Sequence, residues 1–213
     1  YYRVDSLEDY DRVLRAVAFL TFRYGKIDWL ESNNEYWLEL DAQLRTDFNI
    51  TTGFHIDDME NVKRKSKMKE IYRKAGIPVA RGELVTTLEA AIEFAGEVGY
   101  PIITKPDIGV GASSTYKFRN EDELRSFFEN LPPFTMLMEE FVPGDIYSYD
   151  AIIDSKGQPL LETGNHTMES IMDTVNNQTS SVFYIEKQIK EDLRQAGRRC
   201  VAAFGVKSRF IHF

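Results

Sequence analysis

Between Val79 and Val142 the sequence switches repeatedly between a strand-like and a helix-like pattern, and that alternation limits the folds open to it. The β run "VARGELV" precedes "TTLEAAIEFAGEVG", a helical pattern with Thr86 and Glu89 at capping-box spacing and Gly99 as its stop. "PIITKP" and "STYKF" read as strands, "NEDELRSFFENL" as a helix capped by Asn120, and "TMLMEEFV" as a last strand. The order β-α-β-β-α-β predicts one sheet with two helices.

Upstream, "DSLEDYDRVLRAVAFLTFRYG" predicts a helix capped by Ser6 and ended by Gly25. "KIDWL" predicts a short strand, and "NEYWLELDAQLRTDF" a second helix capped by Asn33 or Asn34. This alternation reads as the end of an α/β layer domain. "DMENVKRKSKMKEIYRKAG" predicts one further helix, which Gly76 and Pro78 terminate. Downstream, "DIYSYDAIID", the turn "SKGQ" and "PLLETG" predict a hairpin. Asn165 to Ser180 reads as a polar loop, "SVFYI" as a strand, "QIKEDLRQAGRRCVAAFG" as a helix and "KSRFIHF" as a final strand. The absence of an initial Met and the abrupt β-rich ending suggest a piece of a longer protein.

Composition narrows the function classes. A net charge of −8 over 213 residues argues against a broad nucleic-acid surface. No apolar run has membrane-spanning length and no signal peptide is visible, so no membrane partner is expected. The single cysteine, Cys200, excludes an internal disulfide and fits a reducing compartment, read as cytoplasmic; on its apolar helix face it reads as core.

The chemistry-bearing stretch is "YPIITKPDIGVGASSTYKF". Lys105 ends an apolar strand and is followed by a loop rich in glycine and hydroxyls. A lysine there suits a phosphate oxygen, and a glycine-rich backbone can bring N–H groups close to the same phosphates. The plain reading is a surface turn with a solvated lysine. Two further features bear on the choice: the basic cluster "KRKSKMK" at Lys63 to Lys69, and "MLMEEFVPGD", where a strand end can offer a backbone C=O and N–H two residues apart. Of the histidines, His55 reads as a loop residue and His212 lies on the last strand. His166 is expected at a strand end facing a cleft, as a substrate contact or as a surface residue. No His/Cys cluster has zinc spacing, and nothing in the spacing of Glu162 marks it as a ligand.

Taken in order, the basic helix, "AGIPV", "GYPIITKP" with its loop, "EEFVPGD" and "YSYDAIID" resemble the ATP-grasp superfamily, specifically the carboxylate–amine ligases related to carbamoyl-phosphate synthetase and biotin carboxylase. The resemblance covers about Phe48 to Phe213. It implies an α/β (α+β) chain with a partial N-terminal α/β pre-domain at 1–53 and a connecting helix at 54–78. A small lid subdomain at 79–142 and the start of a larger antiparallel-sheet subdomain at 143–213 would follow, with ATP between these two. Lys65 would be the first nucleotide lysine, with Lys67 competing for the role, and Lys105 the second, on the α- and β-phosphates. Gly109 to Thr115, with Gly109, Gly111, Ser113 and Ser114, would form the phosphate loop. Glu139 would accept the adenine amino group, and the backbone of Glu140 and Val142 would hold the adenine edge. Asp145 stands where the family usually has a glutamate on the ribose and is one methylene shorter. The resemblance further implies ATP and a small carboxylate as partners, Mg²⁺ with its ligands beyond Phe213, and leaves a homodimer open. No metal ligand and no catalytic residue is assigned. The alternative reading is a non-catalytic adenine-nucleotide-binding module.

Overall fold

The computed structural model describes residues 1–32, 34–109 and 114–213. The N-terminal part is helical. Helix α1 (Tyr10–Tyr24) is capped by Asp9, whose carboxylate accepts from the Arg12 N–H, rather than by Ser6. It packs Val13 and Val17 against Leu44 of α2 (Leu38–Asp47), which a short 3-10 turn capped by Asn34 precedes. The strand expected at Lys26 to Leu30 is not formed. Side chains take up its backbone groups instead: the buried Arg45 guanidinium donates to the Leu30 carbonyl at 2.8 and 3.0 Å, and Thr52 donates to the Asp28 carbonyl.

The single helix expected next is two. Helix α3 (Met59–Lys63) ends where Arg64 turns extended, and α4 (Lys65–Lys74) begins directly after it. Asp107 causes the restart. Its carbonyl accepts from the Lys65 N–H at 2.9 Å and its carboxylate from the Ser66 N–H at 2.8 Å, so a residue distant in sequence caps α4.

The β-α-β-β-α-β unit forms as expected. Strands β1 (Gly82–Val85), β2 (Ile102–Pro106), β3 (Tyr116–Phe118) and β4 (Met136–Glu140) make an antiparallel sheet in the order β1-β4-β2-β3. Helices α5 (Leu88–Val98) and α6 (Glu121–Phe128) cover one face. Thr87, one residue after the expected cap, caps α5, whereas Asn120 caps α6. Ile102, Phe118 and Met138 point into the helical core with Phe94 and Leu124.

The second sheet runs β7-β6-β5-β8. Strands β5 (Ile146–Ile153) and β6 (Pro159–Thr167) form the long hairpin, and β8 (Arg209–His212) and β7 (Phe183–Ile185) flank it. The segment read as a polar loop is partly regular: Asn165 to Thr167 complete β6, and α7 (Ile171–Asn177) follows. Helix α8 (Glu191–Ala203) lies on the face built by Tyr149, Ala151 and Ile153. Tyr149 sits directly on Gly197, where an added Cβ would lie no more than 2.5 Å from three ring carbons. Among the described residues no helix is long and apolar enough to cross a membrane.

Candidate nucleotide site

Strand alternation sets the site. Ile102 and Met138 face the helices, so Ile103, Lys105 and Glu139 face the opposite side. There they line a cleft of about 530 Å³ with Glu35, Lys65, Gly109, Thr115, Glu140, Phe141, Val142, Ser170 and Met172. Its size is that of an ordinary small-molecule site.

The charges in this cleft are placed by buried pairing. Glu139 is 6% exposed and bridges two lysines: Lys69 Nζ lies 2.5 Å from Oε1, and Lys105 Nζ 2.5 Å from Oε2. Lys65, one helical turn before Lys69, reaches across to the Gly109 carbonyl at 2.9 Å. Burial, and then the charge of Lys105, hold the Lys65 ammonium below its ordinary range. Lys67 pairs with Glu70 at 3.4 Å and does not line the cleft. Two like charges, Lys65 and Lys105, therefore stand at one wall beside Glu139, which Lys69 also claims, an arrangement that an anion would relieve.

The hinge after β4 is braced from outside. Glu140 accepts from the Arg81 N–H at 2.7 Å and from its guanidinium at 2.8 Å, and these bonds hold its carboxyl below the usual carboxylate range. Lys117 covers the Phe141 ring at 3.6 Å. Val142 is 63% exposed at the cleft edge.

The other candidates lie apart. Ser114 is exposed with φ 55°, while Gly111 and Ser113 fall outside the described residues. Asp145 is exposed before β5 and does not line the cleft. His166 does not face the cleft as expected. It pairs in register with Tyr147, on the α8 face, stacks on that ring at 4.3 Å and bonds Tyr184 at 2.8 Å. His55 bonds the Ile50 carbonyl, and His212 pairs with Asp150 at 2.6 Å. Glu162 is tied to Tyr149, Arg194 and Arg198. Cys200 is buried, and burial pushes its thiol up to about 11. Lys69, Asp107 and Arg81 were not singled out from sequence. For Lys69 the signal existed, because four residues from Lys65 is the same helix face.

Residues 62–210 match the family model of the ATP-grasp domain. The chain belongs to the ATP-grasp family. Among curated proteins it is 29% identical over 169 residues to the carbamoyl phosphate synthase large chain of Thermotoga sp. (strain RQ2), covering 73% of this chain and 15% of that one. To the same protein of Clostridium botulinum (strain Alaska E43 / Type E3) it is 26% identical over 181 residues, or 78% of this chain and 16% of that one. The ATP-grasp chain thus spans about 15% of the length of these relatives. Its fold is similar to that of biotin carboxylase from Campylobacter jejuni, with a TM-score of 0.71 and 20% identity over 96% of this chain and 48% of that one. An L-amino acid ligase from Bacillus licheniformis gives a TM-score of 0.70 at 18% identity, over 98% of this chain and 50% of that one.

Proposed function

We propose that this ATP-grasp chain supplies the adenine-nucleotide half of an ATP-dependent carboxylate–amine ligase. The observation that carries the reading is the convergence of Lys65 and Lys105 on one cleft wall beside the strand end Glu139 to Val142. Lys65 and Lys105 bind and neutralise the phosphates, and the backbone of Glu140 and Val142 presents an acceptor and a donor to the base. The reaction is γ-phosphoryl transfer from ATP to a substrate carboxylate, giving an acyl phosphate and ADP. An amine then attacks the acyl carbon and phosphate leaves. The chain contributes position and charge. Among the described residues no three His, Cys, Asp or Glu side chains are grouped to hold a metal ion, so no ligand to Mg²⁺ is assigned and no step rests on one.

The test is competition between ATP and GTP on the full-length protein, with hydroxylamine trapping of the acyl phosphate across a panel of carboxylic acids. ATP is expected to win, because guanine reverses donor and acceptor at both hinge contacts, at about 1–3 kcal/mol for each unsatisfied group. Val142→Pro deletes the donor N–H and should weaken ATP binding and narrow that preference. Equal binding of the two nucleotides, or normal ATP binding by Val142→Pro, would overturn the hinge assignment.

A further inference from the structure

Lys69 is a cation that phosphate binding does not require. It is 7% exposed and does not line the cleft, whereas Glu139, its partner, does. Its ammonium donates to the Ala80 carbonyl at 2.6 Å and meets Glu139 Oε1 at 2.5 Å. The stem of Glu139 is confined as well. Gly82 stands opposite it in the β1–β4 ladder, and a Cβ there would lie 2.8 Å from Glu139 Cγ and 2.7 Å from the Met138 carbonyl. One carboxylate oxygen is thereby committed to a buried cation, and the other is shared with Lys105, which lines the cleft.

We infer that Lys69 is a positioning residue for base selection, acting through Glu139; the inference rests on the nucleotide reading above. Lys69 fixes Oε1, so that Oε2 is the oxygen offered to the cleft. In the free chain Lys105 occupies Oε2. Nucleotide entry is then an exchange: Lys105 moves to a phosphate oxygen, and Oε2 accepts an N–H from the amino group of the base. A base with a carbonyl at that place would set oxygen against a carboxylate and be rejected. Without Lys69 the carboxylate keeps no reason to hold that orientation once Lys105 has left.

The experiment measures affinities of full-length protein for ATP, GTP and inorganic tripolyphosphate, which has the phosphates and no base. Lys69→Met should weaken ATP about tenfold and shrink the ATP-over-GTP ratio by a similar factor, while tripolyphosphate affinity stays within about threefold. Because Lys69→Met leaves a buried carboxylate short of one partner, Lys69→Met/Glu139→Gln is measured too. It has no buried unpaired charge and should show the same narrowed ratio. An unchanged ratio in either folded variant overturns the inference, as does an equal loss for all three ligands, which would mark a purely structural role. If the wild-type protein binds none of the three, the nucleotide reading fails and this inference with it. If wild type prefers ATP and Lys69→Met prefers it equally, only the inference fails.

Discussion

Among the described residues the two antiparallel sheets are of equal strand number, yet they contribute unequally to the cleft. The first carries Lys105 and Glu139 on one face, with Glu140 at the strand end beside them, and a closed core with α5 and α6 on the other. The second spends its polar groups on itself: Glu162 joins Tyr149 to Arg198 across to α8, and Asp150 holds His212. From the chain after β5, among the described residues, only Ser170 and Met172 reach the cleft. In the first sheet, whose opposite side is sealed by helices, charges line a cleft, and Lys65 of α4 joins them there. Where the carboxylate is held by the sheet's own helix, as Glu162 is by Arg194 and Arg198 of α8, the same architecture makes a scaffold.

The substitution with the largest expected effect breaks the scaffold alone. Gly197→Ala drives a methyl into the Tyr149 ring and should cost about 3 kcal/mol in urea denaturation, by overpacking. A cost under about 0.5 kcal/mol would show that the α8 contact yields easily and is no fixed scaffold. Lys105→Ala should reverse the pattern, leaving the melting temperature nearly unchanged, since Glu139 keeps Lys69, while nucleotide affinity falls about ten- to a hundredfold. Lys63→Ala, which removes only an outer pair with Glu39, is the control and should change affinity little. Asp107→Ala should lie between the two, with a stability loss of about 1–2 kcal/mol from the missing cap on α4 and a parallel loss of nucleotide affinity through Lys65.

A smaller effect is set by pH. Burial and the neighbouring Lys105 depress the Lys65 pKa in the free chain, and a phosphate would favour its charged form. Nucleotide binding should therefore take up protons at alkaline pH, and affinity should fall as pH rises, beginning below the ordinary lysine titration. Calorimetry in buffers of different ionisation heat reads the uptake; its absence would mean that Lys65 stays fully charged. The smallest change is expected from Glu140→Ala. Its backbone is the proposed contact, so nucleotide affinity should drop only slightly, by loss of the Arg81 brace. A large drop would mean that the side chain itself meets the ligand.

The first sheet was legible in sequence almost strand for strand, because each element there matches its own period and carries its own stop. The second sheet was less so: β6 continues through the polar Asn165 to Thr167 because β5 and β7 pair with it on either side, which no local pattern reveals. Lys26 to Leu30 has strand composition but no strand beside it, and the buried guanidinium of Arg45 takes its Leu30 carbonyl. Helix α4 looks continuous with α3 until a distant aspartate is placed at its start. Lys105 and Glu139 could be picked out as residues, but their salt bridge could not. Burial of Lys69 was hidden by its company, since a run of lysines reads as a solvated face.

Asp107 has a consequence for how this protein can be altered. Its N–H is held by the Thr135 carbonyl, its own carbonyl and carboxylate hold the start of α4, and it is 1% exposed. Two residues later the Gly109 carbonyl receives Lys65. The chain is therefore bolted down immediately before the glycine-rich segment, and length changes on the two sides of that bolt are not equivalent. A residue inserted after Gly109 would leave α4 and the lysine pair in register, so loops of other lengths can be grafted there. One inserted between Lys105 and Asp107 would carry the capping carboxylate out of reach of the helix that depends on it.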